Sequence, residues 1–390
     1  MEQTADFFEP NNTETDKKAK KYNQVKRRLS ISNYIIDFLF LLLFLLTGMS
    51  LSLQRLFEEF TSNPWFVVGG YFFIFIILIE ILSLPISFYS SFYIEHYYKL
   101  SNQSLNDWLK DKIKGFAISI VLGLSFLELL YWILRSFPSW WWLIGAFTFT
   151  IIFVLLAKLF PVLFIPIFFK FKPIEDEELK KRLLDMSSKA GTTVRGIYKI
   201  DLSKKSKTAN AGLVGLGNTR RIVLSDTLLN KFHFDEIEVI LAHELGHHLY
   251  KHMSKLIIIQ SMLTISAFFV ADKVLKRSFS YFNFEFIHDI GNLPIFLLVF
   301  LILGFVFFPF ANSYSRKLEK AADRYALLAT RNKNAFISSM KKLASLNLAE
   351  IEPSAFIELI FYSHPSIQKR IEFAKSYVWE GGNNSNGRSH

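Results

Sequence analysis

Residues Trp65 to Tyr89 read WFVVGGYFFIFIILIEILSLPISFY, an apolar run whose one charged residue is Glu80. Crossing the hydrocarbon core of a bilayer takes roughly 20 residues of helix, so this run alone predicts a membrane span. Working outward, runs of the same kind lie at about Ile31 to Leu53, Phe116 to Leu134, Trp140 to Phe169, Leu256 to Leu275 and Leu293 to Asn312. Six spans follow, the fourth long enough to tilt or to break near Pro161 and Pro166. Composition agrees, since 51% of the 390 residues are hydrophobic and 42 are Phe, too apolar for an ordinary water-soluble enzyme.

The run at Ile31 follows a long polar segment and lacks a small-residue cleavage pattern, so it reads as an anchor and not as a signal peptide. Lys17, Lys18, Lys20, Lys21, Lys26, Arg27 and Arg28 precede it, and the positive-inside rule assigns that end to the cytosol. Threading six spans from there leaves Lys99, Lys110, Lys112, Lys114 and the stretch Lys170 to Lys255 on the same side, with Lys273, Lys276 and Arg277 on the other. A bacterial inner membrane fits the lack of a cleavable signal or retrieval motif. The net charge of +11 is spread over membrane-flanking loops, which points to the lipid bilayer as a partner and away from nucleic acid. The absence of Cys excludes disulfides, thiolate nucleophiles and Cys-ligated zinc.

The expected fold is mainly α, a polytopic helical membrane protein with a small α+β cytosolic domain. Residues 1–30 read as a disordered cytosolic tail, 31–169 as spans one to four and 170–255 as a cytosolic catalytic segment. Residues 256–312 follow as spans five and six, 313–377 as a helical continuation of the catalytic domain, and 378–390 as a disordered tail. Within the polar region, Glu175 to Lys189 predicts an amphipathic helix ending at Gly191, Val194 to Leu202 and Arg221 to Leu224 predict strands, and Asp235 to His252 predicts a helix.

That last helix contains Ile240-Leu-Ala-His-Glu-Leu-Gly-His-His, the pattern HExxH at His243, Glu244 and His247. Two His one turn apart share a helix face and can reach one Zn²⁺ at about 2.0–2.1 Å. Glu244, beside the first ligand, can take a proton from a water that zinc acidifies and pass it to a leaving amine. A third protein ligand is needed, and Glu319, on a predicted helix just past the sixth span, is the best candidate. Asp323, one turn further, suits a carboxylate that orients a ligand His. Against these stand a chance match of a short motif, a solvated Glu319 and surface positions for His248 and His252. Glu80 and Glu128 fall inside spans, where a carboxylate is costly.

At this point the residues resemble those of the type I CaaX prenyl proteases, membrane zinc endopeptidases of the gluzincin kind. Glu236 to His252 resembles that family's zinc helix, and Ser315-Arg with Glu319 and Asp323 resembles its third-ligand motif. Asn210-Ala211 followed by Gly215-Leu-Gly is similar to its substrate-binding edge strand, and Arg221-Ile-Val-Leu-Ser-Asp-Thr-Leu-Leu to the segment after it. Ser363-His-Pro followed by Arg370 is similar to its C-terminal motif, and Tyr93-Ile-Glu95 through Asp111 and Lys114 to the cytosolic loop that precedes a span in these enzymes. The resemblance implies one Zn²⁺ per chain and a barrel of helices around a chamber, which Glu80 and Glu128 would line. Eukaryotic members have seven spans against six here, the first being the one missing. It further implies an extended peptide held along Asn210 and Ala211, with His364 and Arg370 steadying the substrate or the oxyanion. The substrate would be a peptide or protein, in that family prenylated at a C-terminal Cys. A quality-control metalloprotease indifferent to prenyl groups, and a carrier with structural zinc, remain open alternatives.

Overall fold

The structure, a computed structural model, describes residues 14–215 and 220–379. Among the described residues, six helices are long and apolar enough to cross a membrane: Glu14–Leu46, Pro64–Tyr97, Leu105–Ser136, Trp141–Phe168, His252–Phe279 and Ile290–Thr330. The spans stop and turn where local chemistry demands it. Asn63 Oδ1 accepts the Trp65 N–H at 3.0 Å to open one helix, and the fourth breaks at Phe164, between Trp141–Leu163 and Ile165–Phe168. Pro161 and Pro166 flank that break.

The first helix departs from expectation. It starts at Glu14, so the polar residues 14–30 are helical instead of disordered, while residues 1–13 lie outside the described range. Asn23 Nδ2 donates to Leu348 O at 2.7 Å and Lys26 Nζ meets Glu95 Oε1 at 2.8 Å, which ties the polar turns down. The helix ends earlier than its apolar run, at Leu46, because Gly48 takes φ 74° and reverses the chain. A separate helix, Met49–Phe60, then takes up the end of that run and most of the stretch before the second span.

Two compact units are distinguishable: residues 24–160 with 255–309, and residues 1–23 with 161–254 and 310–390. The first is the apolar bundle, centred on Trp141, Tyr71, Tyr131 and Phe268. Several of its buried polar groups are satisfied internally, as a low-dielectric setting favours. Ser50 Oγ lies 2.6 Å from Tyr71 Oη and donates to Gly291 O at 2.7 Å, and Trp141 Nε1 donates to buried Asp272 at 2.8 Å. Lys276 Nζ lies 2.8 Å from the same carboxylate, which accounts for a cation that the loop-charge pattern placed badly. Glu80 pairs with Lys112 at 3.2 Å, whereas Glu128 Oε2 is buried with no hydrogen-bond partner among the described residues.

The second unit carries the polar domain. Its sheet has strands β1 (Phe171–Pro173), β2 (Gly196–Ile200), β3 (Ala211–Val214) and β4 (Arg221–Ser225) in the order β1-β2-β4-β3, with β2 and β4 parallel and the outer pairs antiparallel. Helix Glu177–Lys189 starts on an Asp176 cap and stops before Gly191, at φ 64°. Its Leu179 and Leu183 pack with Ile222, Leu224, Ile237 and Leu241 into one core. Helices Lys333–Leu346, Ala355–Phe361 and Ile367–Ser376 complete the unit.

Candidate metal centre

The motif lies on helix Phe234–Leu249, whose first turn is closed by Glu236 Oε2 accepting the His233 N–H at 2.8 Å. Ile237, Leu241 and Leu245 bury one face against the sheet, leaving His243 and His247 a turn apart on another. Gly246 lets the next helix come close: a Cβ there would stand 3.1 Å from Ala322 Cα and 3.3 Å from Ala322 O. That crossing sets the motif beside helix Leu293–Thr330, whose apolar run ends near Asn312 and whose last turns carry Glu319 and Asp323.

His243 Nε2 and His247 Nε2 are 3.1 Å apart, and the two Glu319 oxygens lie 3.2 Å from one or the other. Ligands at about 2.0–2.1 Å in a tetrahedral arrangement would be separated by about 3.3–3.4 Å, so the two imidazole nitrogens, each with its own Glu319 oxygen at 3.2 Å, form a ligand triangle of the size that one zinc ion needs. Glu319 Oε2 is buried and has nitrogens at 3.2 and 2.8 Å, from His243 and His364, yet makes no hydrogen bond of acceptable geometry among the described residues. Lone pairs converging on a point instead of hydrogens on an acceptor fit a cation there. Burial alone would raise the Glu319 carboxyl, but the imidazoles of His243, His247 and His364 outweigh it and hold it well below the usual carboxylate range.

The triangle is backed by a second layer. Asp323 Oδ1 lies 2.9 Å from His243 Nδ1 and is itself gripped by Arg370, at 2.5 Å through Nη2 and 2.8 Å between Nε and Oδ2. Burial lowers the His243 pKa, but Asp323 and Glu319 overcome it and push it up to about 9. Arg370 thus departs from the expected substrate-facing role: it is largely, not fully, buried behind His243, with its guanidinium paired to Asp323. His252, expected at the surface, is also buried, with Nδ1 2.9 Å from His247 Nδ1. The chain breaks at Lys251, with φ 53°, so His252 begins a new helix instead of ending the old one. A residue five places after His247 would not share its helix face, and the sequence held no signal for that turn. His248 is only partly buried.

Glu244 is half-buried next to His243. His364 stands on an exposed loop with Nδ1 2.8 Å from Glu319 Oε2. Ala211 opens β3, with Asn210 just before it, and the strand's outer side has no strand among the described residues. Ser225 N donates to Asn210 O and Ala211 faces Leu224, so alternation turns the backbone groups of Ala211 and Leu213 to the free edge. Asn210 Oδ1 covers the Ala211 N–H at 2.9 Å. Leu216 and Gly217 of the expected strand motif lie outside the described residues.

Residues 173–378 match the family model described as Peptidase family M48, and residues 4–170 match CAAX prenyl protease N-terminal, five membrane helices. Within that second stretch, four described helices are long and apolar enough to span. A Bacillus subtilis (strain 168) protein described as uncharacterized metalloprotease YhfN is 30% identical over 92% of this chain and 84% of its own length. CAAX prenyl protease 1 of Saccharomyces cerevisiae is 31% identical over 78% of this chain and 70% of its own length. The crystal structure of S. mikatae Ste24p superposes with a TM-score of 0.85 at 26% identity, covering 94% of this chain and 90% of that one. With the site's geometry and these matches together, the chain belongs to peptidase family M48 and is an integral-membrane metalloendopeptidase similar to the CAAX prenyl proteases.

Proposed function

We propose that His243, His247 and Glu319 hold one zinc ion per chain and that the enzyme hydrolyses peptide bonds in extended segments laid along β3. The observation that carries this reading is the ligand triangle, with the two Nε2 atoms 3.1 Å apart and each 3.2 Å from its own Glu319 oxygen, and with Glu244 next to His243. Zinc, when bound, would supply Lewis-acid polarisation of the scissile carbonyl and a lowered pKa for water. The Glu244 carboxylate takes a proton from the attacking water and delivers it to the leaving nitrogen as the C–N bond breaks. An imidazole N–H of His364 donates to the oxyanion of the tetrahedral carbon. Asp323 and His252 hold the Nδ1 sides of His243 and His247, which keeps both Nε2 atoms turned inward. Ala211 and Leu213 offer main-chain hydrogen bonds to the substrate, Asn210 yielding the Ala211 N–H as the peptide arrives.

The relatives named CAAX prenyl proteases support a substrate prenylated at a C-terminal Cys, presented from the lipid bilayer. The distribution of Lys and Arg supports an active site and termini on the cytosolic side of a bacterial inner membrane. The test is cleavage of two matched quenched peptides, one farnesylated on Cys and one not, by detergent-purified enzyme, with a chelator and Glu244→Gln as controls. Preference for the lipidated peptide supports the reading. Equal cleavage points to a quality-control peptidase, and no cleavage by zinc-loaded protein points to a carrier.

A further inference from the structure

His364 is more than half exposed and sits on the short connection between helices Ala355–Phe361 and Ile367–Ser376. An exposed side chain on such a connection is expensive to order, yet its Nδ1 is set 2.8 Å from Glu319 Oε2. The backbone around it shows what does the ordering. The last carbonyls of a helix lack partners within it, and here two side chains from another helix bond Ile360 O and Tyr362 O and add to the Tyr362 N–H already on Glu358 O. Asn312 Nδ2 donates to Ile360 O at 2.6 Å, and a single guanidinium nitrogen of Arg316 donates to both Glu358 O, at 3.0 Å, and Tyr362 O, at 2.7 Å. A positive charge at a helix C-terminus is also favourable. Beyond the loop, buried Glu358 accepts from Ser366 N at 3.4 Å and from Lys369 Nζ at 2.5 Å, pinning the far end.

Asn312 and Arg316 belong to the same continuous helix as Glu319 and Asp323, Leu293–Thr330. At 3.6 residues per turn these four positions fall in one stripe, about 60° wide. One rigid element therefore carries the carboxylate of the ligand triangle and grips the loop that brings His364 to it.

We infer that Arg316, assisted by Asn312, is a positioning residue for His364, fixing where its imidazole stands relative to Glu319. The inference rests on the reading of His364 as the group that meets the oxyanion. Arg316 acts through geometry, so its loss is felt in turnover and not in metal binding. Lys at this position could still reach a carbonyl, whereas Met keeps the stem and removes every donor.

The test uses full-length protein in detergent with a quenched peptide, comparing Arg316→Met, Arg316→Lys, His364→Ala and the Arg316→Met/His364→Ala double variant. Arg316→Met is expected to lower kcat by about ten- to a hundredfold with KM within about twofold, close to the effect of His364→Ala. Zinc stoichiometry and the thermal midpoint should stay at wild-type levels, Arg316→Lys should recover part of kcat, and the double variant should be no slower than His364→Ala alone. Losses that multiply in the double variant would overturn the inference, as would zinc loss or unfolding in Arg316→Met. An unchanged kcat in His364→Ala would overturn it by removing the role of His364, while Glu244→Gln would still report separately whether the chain is a metallopeptidase.

Discussion

His252 Nδ1 lies 2.9 Å from His247 Nδ1, while the equivalent atom of His243 lies 2.9 Å from the Asp323 carboxylate. The two imidazoles of the ligand triangle are therefore held from behind by different chemistry, one by a neighbouring ring and one by an anion that is itself paired with Arg370. An anion makes the imidazole it touches a stronger donor to a metal, a support that His243 has, whereas His247 depends on the softer support of a ring.

Removing that softer support should be measurable. His252→Ala is expected to weaken zinc binding by about ten- to a hundredfold, read by competition with a chromogenic chelator, with His252→Gln weakened less because the amide can still bond Nδ1. Unchanged affinity in the Ala variant would show that His247 is oriented by its helix alone.

Glu244→Gln should lower kcat by about 10²–10⁴-fold with zinc still present at one per chain by elemental analysis. A variant that turned over at the wild-type rate would remove Glu244 from the proton path.

The pKa of His243, pushed up to about 9 by Asp323 and Glu319 despite its burial, sets a direction for pH dependence in the metal-free protein. A protonated ring cannot ligate, so metal binding below about pH 9 must release that proton, and apparent affinity should climb by about tenfold per pH unit towards that value. Calorimetry in buffers of different ionisation enthalpy would count the proton. No buffer dependence at pH 7 would contradict the assignment.

Arg370→Met strands the buried Asp323 carboxylate without its cation, a change that costs about 3–5 kcal/mol when a buried pair is broken. The thermal midpoint should fall sharply, and adding Asp323→Asn should return part of it, since the uncompensated charge is then gone. Equal midpoints for wild type and Arg370→Met would mean that water reaches this pair.

If substrates pair with β3, methylating the peptide nitrogen that faces the Ala211 or Leu213 backbone should raise KM by about five- to tenfold, the worth of one hydrogen bond. Methylation one residue along, where the N–H points away, should do little. A flat response along the peptide would exclude strand pairing.

Most of this architecture is legible before any coordinates. The spans are visible because a bilayer demands an uninterrupted apolar length, and the break at Phe164 follows from Pro161 and Pro166. His243, Glu244 and His247 are legible because a helix converts their spacing into a shared face, and Asp323 follows Glu319 by the same rule. What escapes is long-range or rests on single turns. Residues 14–30 look disordered by composition, since nothing in the local sequence announces Glu95 as the partner of Lys26. The burial of His252 depends on one residue, Lys251, adopting φ 53°. Arg370 reads as a substrate contact until its 47-residue reach to Asp323 is seen.

The stripe formed by Asn312, Arg316, Glu319 and Asp323 also makes chain length a functional property. Each inserted residue turns everything beyond it by about 100° and moves it about 1.5 Å along the axis. A single codon gained between Arg316 and Glu319 would leave every side chain's chemistry intact and still swing the carboxylate out of the triangle. Tolerance to insertion along this protein should therefore trace its rigid helix more sharply than tolerance to substitution does.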